Sequence, residues 1–133
     1  MSHETAVALW ALTAFQLKHF LADFVLQSEF QVRTKGIYGH FGGFIHSGIH
    51  VVLSIPALLI LGAAPIGIVI VMVVEFIIHY HTDWTKSKVD EVKQWGITDV
   101  RYWMIFGLDQ LAHQLTYLGI VAAFLMRGPT LGV

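Results

Sequence analysis

The chain has 133 residues, of which 56 % are hydrophobic and 13 % charged, and its mean hydropathy is +0.66. A soluble domain carries about 25 % charged residues, so this composition points to lipid as the solvent. A formal charge of −1 argues against a nucleic-acid binder, and the absence of cysteine excludes disulfides, thiolate nucleophiles and Cys-ligated metal.

The pattern predicts an all-α, polytopic membrane protein, with residues 1–133 forming one domain of four transmembrane helices in an up-down bundle. The first five residues lack the basic start of a signal peptide, so the first apolar run is expected to be retained. Residues 7–27 are the first helix, long enough to span because about 20 residues rising about 1.5 Å each cover the hydrocarbon. Its first half is apolar, whereas the second carries Gln16, Lys18, His19, Asp23 and Gln27. Residues 28–43, with Glu29, Arg33, Lys35 and four glycines, read as an interfacial segment and turn.

Residues 44–63 are the second helix, with His46 and His50 near its start and a kink expected at Pro56. The short Gly62-Ala63-Ala64-Pro65 turn makes the second and third helices antiparallel neighbours. Residues 66–86 are the third helix, which opens on a purely apolar run and then meets Glu75, His79 and Asp83. A polar stretch over 87–100 leads to the fourth helix, 101–127, with Asp109, Gln110 and His113 in its first half. The tail 128–133 is expected to be loose.

Four pairs share one spacing: His19/Asp23, His46/His50, His79/Asp83 and Asp109/His113. On a helix, side chains four residues apart leave one face and can grip one ion. In an up-down bundle all four pairs fall in the same half, about 5 to 12 Å below one surface. That side also collects Arg33, Lys35, Lys86, Lys88, Lys93 and Arg101, against Arg127 on the other. The positive-inside rule makes it cytoplasmic, with both termini outside. Residues 19–24 match 79–84, and His46-x-x-x-His50 echoes Asp109-x-x-x-His113. Such an echo is expected of two copies of a helical hairpin, related by an axis along the membrane normal.

A single histidine in lipid is most simply a helix–helix hydrogen bond, but four polar pairs at one depth favour a site. His19, Asp23, His46, His50, His79, Asp83, Asp109 and His113 supply enough nitrogen and oxygen donors for one or two divalent transition metal ions, with zinc, manganese and iron the leading choices. A bound metal would lower the pKa of water toward ~7 and make hydrolysis of a lipid or lipid-linked ester, phosphoester or amide the natural reaction. Asp23 and Asp83, one from each half of the repeat, could bridge two ions. Lys18 and Lys86 flank the pairs and could hold an anionic head group; Glu75, one turn deeper, is either a supporting carboxylate or a protonated one. His3, His40 and His81 look peripheral. Trp84, Trp95, Tyr102 and Trp103 read as an interfacial belt, with Arg33 and Lys35 its charged counterpart.

Two other classes remain open. An ion or proton carrier could use the same His/Asp ladder, although the far half of the bilayer offers it few polar residues. A haem or quinone binder would explain the histidines but leaves three aspartates unexplained. The oligomeric state is not legible.

The chain also resembles the small bacterial integral-membrane proteins of domain-of-unknown-function family 3307, whose patterns are H-x-x-x-D-F-x-x-Q, H-x-x-x-D-x-x-K and D-Q-x-x-H. Here these read from His19 through Asp23 and Phe24 to Gln27, from His79 through Asp83 to Lys86, and from Asp109 and Gln110 to His113. Lys35, His46 and His50 fit as well. The resemblance covers nearly the whole chain, adds Phe24 and Gln27 to the site, with Gln27 and Gln110 behind the ligands, and implies a bacterial inner membrane. It brings no activity.

Overall fold

The computed structural model describes residues 1–126, which are helical with no strand among them. Helix α1, His3–Phe20, is N-capped by Ser2, whose hydroxyl accepts the Thr5 N–H at 3.2 Å. It runs straight into one π turn, Leu21–Val25, closed by the Leu26 N–H on the Leu21 carbonyl at 2.8 Å. The expected 7–27 helix thus lies over 3–25, with a wider turn that hydrophobic periodicity did not forecast. A short helix, α2 (Glu29–Thr34), occupies the stretch read as a turn; Ser28 and Gln31 start it as a capping box.

The second expected helix begins earlier and is broken. α3 is Phe41–Leu53 and α4 is Ile55–Ile60, with the interruption at Ser54. Pro56 is the cause: it has no N–H to return, and it sits in the first turn of α4, where none is needed. α5, Pro65–Lys93, outruns its expected end at 86, and the ion pairs Lys86–Asp90 (2.8 Å) and Lys88–Glu91 (2.7 Å) support the polar extension. Gln94 ends it in a left-handed conformation, φ 50°. α6 is Val100–Met126. The predicted end at Arg127 and the tail 128–133 lie outside the described residues.

Packing closes a ring: α1 lies against α4 and α6, α3 against α5, and α5 against α6, while α2 rests on α3. The α3–α5 contact is close because position 43 has no side chain; a Cβ there would stand 2.8 Å from the Tyr80 ring. That approach brings the His46/His50 face of α3 onto α5. In the opposite half of the ring, Ala11, Phe15, Ala57, Leu58, Tyr117 and Val121 form the apolar core, with the Phe15 and Tyr117 rings stacked at 4.9 Å.

Among the described residues eleven polar or charged side chains are buried against nine hydrophobic ones, while Trp10, Phe20, Phe24, Leu59, Ile70 and Leu115 are exposed. Two stretches, Phe41–Ile60 and Pro65–Lys93, are long and apolar enough to cross a membrane. The second is only 22 % buried over its apolar window, unlike the core helix of a soluble protein. α1 and α6 fall short of that test because Lys18, His19, Asp109, Gln110 and His113 lower their hydropathy.

Candidate metal centre

The π turn decides where Asp23 stands. The extra residue per turn swings its carboxylate among three imidazoles: His19 Nε2 lies 3.1 Å from Oδ2, and His46 Nε2 and His50 Nε2 each lie 3.2 Å from Oδ1. Asp83 is its counterpart on α5. His113 Nε2 is 3.1 Å and His79 Nε2 3.8 Å from its Oδ1, while His46 Nε2 and the Lys35 ammonium each lie 3.0 Å from its Oδ2. The His50–Asp23 and His113–Asp83 contacts join residues at corresponding places in the two segments that echo each other in sequence. Asp109 stands at the margin, 3.6 Å from His113 Nε2. The rings crowd: His79 is 3.8 Å from His50 and 4.2 Å from His113 between centroids.

Both nitrogens of His46 and both of His79 are buried without a hydrogen-bond partner. Carboxylate oxygens lie 3.0 to 3.8 Å from their Nε2 atoms, yet without the alignment a hydrogen bond requires. An unpaired buried polar group costs about 1–3 kcal/mol, so the Nε2 atoms of His46 and His79, one from each ring and both beside the carboxylates, call for a partner. Donor atoms round a tetrahedral zinc stand about 3.3 Å apart when each bond is about 2.0–2.1 Å long, close to the spacings here. Two sets each keep their donor atoms within 4.8 Å of one another: Asp23, His46, His50 and His79, and His79, Asp83 and His113. Imidazole with carboxylate is the chemistry of a divalent transition metal, and these residues fit one.

A family model described as a protein of unknown function (DUF3307) matches residues 11–130. The chain belongs to that family. Neither a curated protein nor a solved structure matches it.

Around the donors, this DUF3307 chain arranges a supporting layer. His19 Nδ1 meets the Tyr117 hydroxyl at 2.9 Å, and its Nε2 meets Gln110 Oε1 at 3.0 Å. Gln110 also donates to Asp109 Oδ2 at 3.2 Å, and Gln27 donates to the Asp23 backbone carbonyl at 2.7 Å. Such partners fix the orientation of ligating side chains. Below lies a charged floor: Lys18 pairs with Glu75 Oε1 at 2.5 Å, Ser54 donates to the same oxygen at 2.9 Å, and Lys18 is 3.5 Å from His50 Nδ1.

Lys18 is 4 % exposed and bound to Glu75, which removes it from any head group and identifies Glu75 as its ionic partner. Lys86 is turned toward Asp90, but it lines an approximately 190 Å3 chamber with Asp23, Lys35, Asp83 and Asp109. Phe24 also lines that chamber, and its ring stacks on Phe20. Lys35, read from sequence as interfacial charge, instead reaches Asp83. His81 contacts the Tyr38 hydroxyl, and His40 caps α3, both outside the cluster.

Sequence reasoning missed three members. Tyr117 lies one turn beyond His113 on the same face, a signal available in the spacing. Ser54 is likewise four residues beyond His50. Only the family resemblance marks Lys35, whose inward position depends on α2 folding back over α3.

Proposed function

We propose that the chain is a four-span membrane protein whose His/Asp centre binds one or two divalent transition metal ions near the cytoplasmic face and hydrolyses a lipid or lipid-linked substrate. The observation that carries this reading is the set of unpaired His46 and His79 nitrogens gathered against Asp23 and Asp83. The four spans are supported by an interior more polar than the exterior, an arrangement suited to a lipid solvent. The basic residues Arg33, Lys35, Lys86, Lys88, Lys93 and Arg101 at the site end support a cytoplasmic face there, with the N-terminus outside. A bacterial inner membrane fits this topology. The matched His50–Asp23 and His113–Asp83 contacts support two copies of one hairpin about a central axis.

A divalent ion held there by His46, His79, Asp23 and Asp83 would supply Lewis acidity and a more acidic water. The chain does the rest. Asp23 or Asp83 would hold a proton on the carboxylate oxygen left free of the ion, and the Lys35 ammonium, 3.0 Å from Asp83 Oδ2, would offset charge gathering on a substrate oxygen. Gln110 and Tyr117 hold His19, while the Lys18–Glu75 pair closes the floor against the hydrocarbon beyond. The Phe15–Tyr117 stack, set in the apolar cluster of the far half, supports hydrolysis over conduction. Imidazole rings 3.8 to 4.2 Å apart leave no slot for a porphyrin.

Purified protein loaded separately with zinc, manganese or iron(II) is to be offered lipid phosphates and lipid carboxylic esters in mixed micelles. Metal-dependent release of phosphate or fatty acid, abolished in His79→Ala, is expected. No release with any metal, together with cation flux through reconstituted vesicles, would overturn the hydrolase in favour of a carrier.

A further inference from the structure

The five imidazoles of the centre differ in what their nitrogens already do. Gln110 sets the first. Its amide nitrogen donates to Asp109 Oδ2 at 3.2 Å, a carboxylate oxygen that accepts, so Oε1 is the atom that faces His19 Nε2 at 3.0 Å. A carbonyl oxygen cannot donate, which puts the His19 proton on Nε2 and leaves Nδ1 to accept from the Tyr117 hydroxyl at 2.9 Å. Both nitrogens of His19 are thus engaged, and the Nε2–H also stands 3.1 Å from Asp23 Oδ2.

His50 is set from the other side. The Lys18 ammonium, a donor only, meets Glu75 Oε1 at 2.5 Å, the His50 carbonyl at 3.4 Å and His50 Nδ1 at 3.5 Å. An Nδ1 that accepts leaves the proton on Nε2, which donates to Asp23 Oδ1 at 3.2 Å. His113 Nε2 likewise donates to Asp83 Oδ1 at 3.1 Å. A ring nitrogen that carries a proton has no lone pair to offer an ion. His46 and His79 are the contrast, since none of their nitrogens has a hydrogen-bond partner. His46 Nε2 stands between the two carboxylates, 3.2 Å from Asp23 Oδ1 and 3.0 Å from Asp83 Oδ2.

We propose that the imidazoles divide by tautomer: His46 and His79, with Asp23 and Asp83, hold a single divalent ion, while His19, His50 and His113 are positioning residues that turn N–H groups toward those carboxylates. The division rests on the metal reading. It takes three histidines out of the ligand set and gives Gln110 and Lys18 the role of fixing where the His19 and His50 protons sit. An ionised carboxylate offers about four lone-pair sites, so the N–H groups leave room for the ion. Two imidazoles and two carboxylates complete a four-coordinate site.

Two measurements on the full chain in detergent micelles test the division. Nitrogen-15 NMR of histidine-labelled, EDTA-treated protein, assigned with His19→Gln and His50→Gln, is expected to find both rings protonated on Nε2 alone. A proton on Nδ1 of either ring would overturn the proposal. The second measurement loads copper(II), which binds such donors ahead of the other divalent ions, and counts coordinated imidazoles by electron spin-echo modulation. Two are expected in the wild type and in His19→Gln, His50→Gln and His113→Gln, and one in His79→Gln. Glutamine keeps an N–H for the carboxylate, so copper affinity should fall less than about tenfold in His50→Gln, against about 10–100-fold in His50→Leu. Three or more imidazoles in the wild type, or one lost in a His19, His50 or His113 variant, would overturn the division while the metal reading stands. No bound copper, with both Nε2 protons found, would instead overturn the metal reading and its ligand set, and leave the hold of His19 and His50 on Asp23 in place.

Discussion

The two halves of the bundle use the same helices and opposite rules. In one, Ala11, Phe15, Ala57, Leu58, Tyr117 and Val121 fill the space between helices with carbon, and the Phe15–Tyr117 stack at 4.9 Å sets the spacing. In the other, five imidazoles and two carboxylates take the same place, and Gly43 lets α3 and α5 draw together around them. In the membrane setting proposed for this chain the apolar half would gain no transfer energy from burial and would hold by close contact alone. The polar half holds by partners, and removing one leaves another stranded in a medium without water. The boundary between them is the Lys18–Glu75–Ser54 floor.

Breaking that boundary should have the largest effect. Lys18→Met or Glu75→Leu alone strands a buried charge, and denaturant unfolding in detergent should show a loss of about 3–5 kcal/mol. The double variant, with both charges replaced by apolar groups, should recover most of that loss. A double as weak as the sum of its parts would mean that the floor does more than neutralise itself.

Phe15→Ala should cost about 2 kcal/mol, mainly from the cavity it leaves, and should leave metal content unchanged. If metal is lost with it, the halves are not separable. Gly43→Val should cost about 1–3 kcal/mol by overpacking against Tyr80 and, unlike Phe15→Ala, should weaken metal binding by prying α3 from α5. Ser28→Ala removes the α2 cap, about 1 kcal/mol of local stability, and lets Lys35 drift from Asp83. Hydrogen exchange confined to residues 28–35 would report it.

The four histidine and aspartate pairs were legible because helix periodicity maps spacing directly onto a face, and Pro56 announced the break in the second helix. Other features were not, for different physical reasons. The π turn at Leu21–Val25 has no periodic signature, although it sets the place of Asp23. Lys35 is drawn inward by the fold-back of α2, a tertiary effect that its basic neighbours disguised as interfacial charge. The capping box of Ser28 and Gln31 was readable, but so short a helix carries no apolar stripe to draw attention. The end of α5 was placed too early because hydropathy falls at Lys86, whereas pairs such as Lys86–Asp90 keep a polar helix going. Hydropathy passes over α1 and α6 as candidate spans for the same reason the polar cluster forms: they turn Lys18, His19 and His113 inward.

The polar half, as proposed, is built round metal. Elemental analysis of the purified chain beside an Asp23→Ala, His79→Ala double variant tests it most directly, with circular dichroism to establish that both are equally helical. At least one divalent ion per chain in the wild type, and almost none in the variant, is the expected result. Equal, sub-stoichiometric metal in both would contradict it, and the imidazoles would then be only a polar core.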